Sequence, residues 1–185
     1  MDPSLGILLA DRASLDRALD MATADAQWFL MDDAVHTIEA LRPWIDRGAD
    51  VTVCATDAAG MEPVPGVRWG SQYDHAAMVR TAQRLVALTG AGLNDHSPKR
   101  TERTVIVRIT RETKLAQALR TAVGYAGGDL RVAVLTEPAV QAIIDRPPPS
   151  VARALATLRS LDHPIVQVAE HEYPVRLRWD VEVTW

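Results

Sequence analysis

An α/β protein with mainly parallel sheets, laid out as two tandem units, is what this sequence predicts. Three observations predict it. Short apolar runs alternate with stretches of helical periodicity along the chain, a rhythm that pairs strands in parallel through right-handed crossovers. Leu15, Ala18, Leu19 and Ala22 return as Leu115, Ala118, Leu119 and Ala122, one hundred positions later. The apolar runs around them also return in order: 6–10 as 105–110, 28–31 as 131–135, and 51–55 as 165–169. Matched segments in one order indicate an internal duplication. In that register Val168 stands where Cys54 stands.

The elements follow in order. Residues 6–10 read as a strand and 14–24 as a helix; 28–31 is a strand and 34–47 a helix. Pro43 interrupts that helix, because an interior proline removes a hydrogen bond and clashes with the preceding turn, so the helix kinks or restarts there. Residues 51–55 are a buried strand, and Ser71 with Asp74 has the capping-box form that starts a helix over 71–82. A strand over 84–88 completes the first unit. The polar stretch that follows holds two glycines and a proline and reads as a linker. The domain reading is therefore a unit carrying Cys54 over 1–90, a linker over 91–103 and a second unit over 104–185. That second unit has strands at 104–110, 131–135 and 165–169 and helices at 113–126, after Pro138 and at 151–161. It shows no clear counterpart of the 71–82 helix. The alternating tail 175–185 reads as a last strand with one wet face.

Composition narrows the function. A net charge of -4 argues against direct nucleic-acid binding. One cysteine rules out an internal disulfide framework. No apolar run approaches the roughly 20 residues that span a bilayer, and no signal-peptide pattern is present, so a soluble cytoplasmic protein without membrane contact is expected. The turn after the first strand, Asp11-Arg12-Ala13-Ser14, has no glycines, so the dinucleotide fingerprint is missing. There is no P-loop, no C-x-x-C and no G-x-S-x-G. Without C-x-x-C or paired His and Cys spacing, no structural zinc site is expected.

Open α/β sheets do their chemistry at the carboxyl ends of their strands. Those ends gather Asp11, Asp32, Asp33, Cys54 and Asp57, with the start of the 71–82 helix at Gly70-Ser71 nearby. Cys54 is either a nucleophile, activated by the helix N-terminus, or a packed core residue. Asp57 disfavours the thiolate, and His75, one turn into the helix, either supplies a positive charge or sits on the surface. Asp32 or Asp33 caps the following helix in the plainer reading. Met31 and Met78 read as core, and His36 as solvent-facing. The tryptophans read as core or interface.

These residues carry a family resemblance. Trp28-Phe29-Leu30-Met31-Asp32-Asp33-Ala34-Val35 resembles the second strand and loop of DsrE/DsrF/DsrH-like proteins, the family that includes the TusBCD sulfur-relay subunits. Val51-Thr52-Val53-Cys54-Ala55 with Gly60 resembles the strand ending in that family's active cysteine. Gly66-Val67-Arg68-Trp69-Gly70-Ser71, leading into Asp74, is similar to the segment beside that cysteine, and Gln83-Arg84-Leu85-Val86-Ala87-Leu88 to the closing strand. The resemblance covers 6–88; over 104–169 it is limited to the β-α-β pattern.

The resemblance implies two flavodoxin-like three-layer α/β/α units forming a pseudo-dimer, and a persulfide carrier. In such a carrier the cysteine thiolate attacks the outer sulfur of a donor persulfide, holds it as Cys–S–SH and passes it to a partner's thiol, a thiol exchange that implies no metal and no organic cofactor. Cys54 is the implied acceptor; Asp32, Asp33, Gly70 and Ser71 are its surroundings. The implied partners are sulfur-donor and sulfur-acceptor proteins, or further subunits of the same kind in a homo- or hetero-oligomer. A second reading is a non-catalytic binding or assembly module in which Cys54 packs and an apolar patch around Trp69, Trp179 or Trp185 docks a partner. A third takes Asp11, Asp32, Asp33 and Asp57 as a Mg²⁺ site. The absence of a suitably placed lysine counts against it.

Overall fold

The alternation of apolar and helical segments produces two sheets. The computed structural model describes residues 4–98, 102–174 and 177–185. The first sheet holds β1 (Leu5–Leu9), β2 (Gln27–Leu30), β3 (Asp50–Cys54), β4 (Val67–Gly70), β5 (Arg84–Leu88) and β6 (Leu93–His96) in the order β4-β3-β2-β1-β5-β6. All its pairings are parallel except β5 with β6. The second holds β7 (Thr104–Ile109), β8 (Arg131–Thr136), β9 (Ile165–Gln167) and β10 (Val181–Thr184), all parallel, in the order β10-β7-β8-β9. Mixed α/β architecture with mainly parallel sheets is thus as expected.

Each unit enters its first helix through a short 3₁₀ turn. Arg12–Ser14 leads into α1 (Leu15–Met21), and Glu112–Lys114 leads into α4 (Leu115–Gly127). The expected helix over 34–47 is instead a 3₁₀ stretch, Asp32–Leu41, followed by α2 (Arg42–Ile45). The restart falls at Pro43, which sits in the first turn of α2, where its missing N–H would have had no partner. Ser71 and Asp74 form the capping box of α3 (Gln72–Thr81). α5 (Pro138–Asp145) and α6 (Pro149–Ser160) each begin on a proline.

The strand order β9-β8-β7-β10 reproduces β3-β2-β1-β5. A flavodoxin-like order would place the first strand between the second and third. Here β2 and β8 take the middle positions, so the flavodoxin label does not describe this connectivity.

Alternation along the strands assigns the layers. In the first sheet Ile7, Trp28, Leu30 and Val53 pack against the 3₁₀ stretch and the helices α1 and α2. Leu8, Phe29, Cys54 and Leu85 point the other way, onto Ala76, Met78 and Val79 of α3. In the second sheet Val105, Val107, Val132 and Val134 face Leu119 and Ala122 of α4 and Leu155 and Leu158 of α6. These two inner faces belong to one continuous core. α3 packs on α4, and glycine makes the approach close: a Cβ on Gly124 would lie 2.2 Å from the Cβ of Gln72.

Two expectations are corrected by this layering. The chain is not two separate three-layer sandwiches, because α3 and α4 stand between the sheets in a shared core. Among the described residues the outer face of the second sheet carries no helix; Ile106, Ala133 and Leu135 pack under Val168, Leu177 and Trp179. Nor do the units face each other as a pseudo-dimer would. A two-fold contact brings equivalent elements together, whereas α3 meets α4, which occupies the chain position of α1. The contact is heterologous.

The linker and tail also differ from expectation. Leu93–His96, inside the expected linker 91–103, is an edge strand. Arg84 secures it, donating to Asp95 at 2.6 and 2.8 Å. Residues 99–101 of that linker and 175–176 of the tail lie outside the described residues. Of the tail's described residues only Val181–Thr184 forms a strand, and its expected wet face is occupied by the buried Glu182. Among the described residues no helix is long and apolar enough to cross a membrane.

Candidate functional site

Cys54 is the last residue of β3, beside Gly70 of β4, and Ala55 N–H donates to the Gly70 carbonyl at 2.8 Å. Glycine is required there, because a Cβ would lie 2.4 Å from Thr52 Cγ2. The chain then reaches Ser71, whose hydroxyl accepts from Tyr73 N–H while Asp74 accepts from Ser71 N–H at 2.7 Å. The N-terminus of α3 is thereby beside the cysteine, as expected. Cys54, however, is only 2% exposed. It faces the shared core, and its polar neighbour is Gln72 Nε2 at 3.9 Å. Burial raises its pKa above the ordinary value, and the Asp57 carboxylate adds to the rise. The chemistry at Sγ is that of a protonated, enclosed thiol.

His75 is neither a surface residue nor a source of positive charge. It is fully buried, stacked on Phe29 with ring centroids 4.7 Å apart, and its Nε2 lies 3.0 Å from the Tyr125 hydroxyl. Burial lowers its pKa to about 3, so it is neutral. Its Nδ1 lies 3.4 Å from Gln72 Oε1. The neutral tautomer protonated at Nδ1 satisfies both contacts.

The expected carboxylates do come together at the strand ends, and the second unit meets them. Asp57 accepts from Asp32 N–H at 2.9 Å, from Gln117 at 3.1 Å and from Arg120 at 2.6 and 2.8 Å. Burial pushes its carboxyl up, but Arg120, the Asp32 N–H and Gln117 outweigh burial and hold the pKa low. Asp32 pairs with Lys114 and adopts a left-handed backbone at φ 54°. Neither Asp32 nor Asp33 caps the helix that follows. Asp33 accepts from Arg12 N–H at 2.9 Å, and Asp11 caps the first 3₁₀ turn through Ala13 N–H and the Ser14 hydroxyl. Lys114, Gln117 and Arg120 turn this end of the first sheet into a junction between units. Among the described residues no cluster of His, Cys, Asp and Glu could hold a metal ion.

A second constellation was not anticipated. β7 lies between β8, its successor, and β10, reached only at the chain's end, so the strand order reverses there. Crevices at such reversals are the usual binding places of open α/β sheets. Arg108 on β7 donates to Glu182 on β10 at 3.0 Å, to Glu137 after β8 at 2.9 Å and to the Glu172 carbonyl at 2.9 Å. Tyr173 lies over its guanidinium at 4.2 Å and donates to Glu182 at 2.8 Å. Burial opposes the charge on Arg108; Glu182 and Glu137 overcome it and raise the pKa. A cavity of about 430 Å³ opens here, between this network, Arg111 and His171. The readable sign was Arg108 itself, the one charged residue in the run Val105-Ile106-Val107-Arg108-Ile109.

No family model, no curated protein and no solved structure matches this chain.

Proposed function

We propose that the chain is a non-catalytic binding and assembly module, with Cys54 as a packing residue in the core shared by its two α/β units. One observation carries this reading: Cys54 is 2% exposed in a core contributed by both sheets. A sulfur acceptor must present a thiolate to a donor, and burial opposes both presentation and ionisation here. The carboxylates around it satisfy Arg120, Lys114 and backbone N–H groups, which is a structural employment. Trp185, offered by the sequence as part of a docking patch, is fully buried; Trp69 and Trp179 are partly buried.

Thiol labelling tests the proposal. Cys54 should stay unmodified by iodoacetamide in the native protein and react fully in denaturant. Cys54→Ala should cost roughly 1 kcal/mol through the cavity it leaves. Stoichiometric native labelling, together with a gain of one sulfur atom after treatment with a persulfide donor, would replace the module with the sulfur carrier.

A further inference from the structure

We infer that the crevice at the carboxyl end of the second sheet binds a small amphoteric molecule of the free α-amino-acid class. Its place is the first reason. At the hundred-residue offset Arg108 takes the position of Leu8, and the strand register puts Val168 in that of Cys54. Leu8 and Cys54 share the face that α3 covers in the first unit. Among the described residues the second unit has no such helix, and Val168 faces the segment that covers that side instead. On that side, around Arg108, lies a cavity of ligand size at about 430 Å³, at a reversal of strand order.

Its charges are the second reason. Glu137 and Glu182 share the single guanidinium of Arg108, all three being buried. Two carboxylates against one cation leave a surplus negative charge, and a buried charge of that kind favours a cationic partner. Arg111 lines the same cavity and pairs with no carboxylate among the described residues. Its Nη2 donates to the Thr89 carbonyl at 3.0 Å, while its Nε is buried without a hydrogen-bond partner. A guanidinium in that state fits a carboxylate. A ligand with an ammonium and a carboxylate matches both walls; one with a single charge leaves one wall unmatched.

Thermal-shift titration of the full chain against a panel of free L-α-amino acids tests this. Sodium phosphate and methylammonium chloride serve as single-charge probes at matched ionic strength. At least one amino acid should raise Tm saturably, with neither single-charge probe matching it. Arg111→Met should weaken that amino acid's apparent affinity by about tenfold or more, the scale of one lost charged hydrogen bond. Should Arg111→Met not fold, Arg111→Lys decides: weakened binding supports the site, wild-type binding overturns it. No saturable shift with any amino acid, an equal shift with phosphate alone, or full affinity in Arg111→Met would each overturn it.

Discussion

Replacing His75 with glutamine should flatten the acid side of the stability profile. The imidazole is sealed between Phe29 and Tyr125, and burial takes its pKa from 6.5 to about 3. A base with a depressed folded pKa is protonated first in the unfolded chain. The unfolded state therefore binds more protons below about pH 6.5, and stability falls as pH drops from there towards about 3. Between about pH 7 and about pH 5 the unfolded chain gains most of one proton and the folded chain almost none, a loss of about 2 kcal/mol. For a chain of this size that is roughly 4–8 °C in Tm. Glutamine keeps an acceptor for the Tyr125 hydroxyl and cannot be protonated. Urea unfolding of both proteins at several pH values measures the difference. His96 and His163, whose pKa values are also lowered by burial, contribute equally to both and cancel. Parallel pH profiles in wild type and His75→Gln, or an NMR titration placing His75 near its ordinary pKa, would refute the reasoning.

Two further substitutions probe the contact between the units. Gly124→Ala should destabilise by about 1–3 kcal/mol in urea unfolding, since its Cβ meets the Cβ of Gln72 at 2.2 Å and overpacking outweighs the gain in helix propensity. Gly127→Ala should be far milder, because its Cβ meets only the ring of Tyr73, which is 63% exposed and free to swing aside. Asp57→Ala should cost about 1–3 kcal/mol near neutral pH by removing the acceptor of Arg120 and of the Asp32 N–H. Because the Asp57 pKa is lowered on folding, that difference should be full above the ordinary aspartate range of about 4 and shrink as pH falls below it. A difference constant with pH would disprove the role of its charge.

Local chemistry made much of the first unit legible. The capping box at Ser71 and Asp74 was readable because its bonds close within four residues, and the restart at Pro43 because the missing N–H acts at its own turn. Apolar periodicity placed the buried strands for the same reason. β6 was hidden because an antiparallel edge strand needs only an open neighbour, and Leu93-Asn94-Asp95-His96 shows no alternation to betray it. β4 was hidden likewise; its strand character comes from pairing Gly70 with Cys54.

The sequence by itself determined the α/β class, the repeated order of strands and helices, and the gathering of Asp11, Asp32, Asp33, Cys54 and Asp57 at one sheet edge. Those features follow from spacing along the chain. Only the tertiary structure decided that Cys54 and His75 are enclosed, that Arg120 and Lys114 meet the acidic edge, and that Arg108 joins Glu137 and Glu182 beside an open cavity. The first two depend on which face of one unit is laid on the other, the third on the pairing of β8 and β10 with β7. That choice rests on glycine-thin helix surfaces and partners some sixty residues or more apart, such as Asp57 and Arg120, which no local pattern encodes.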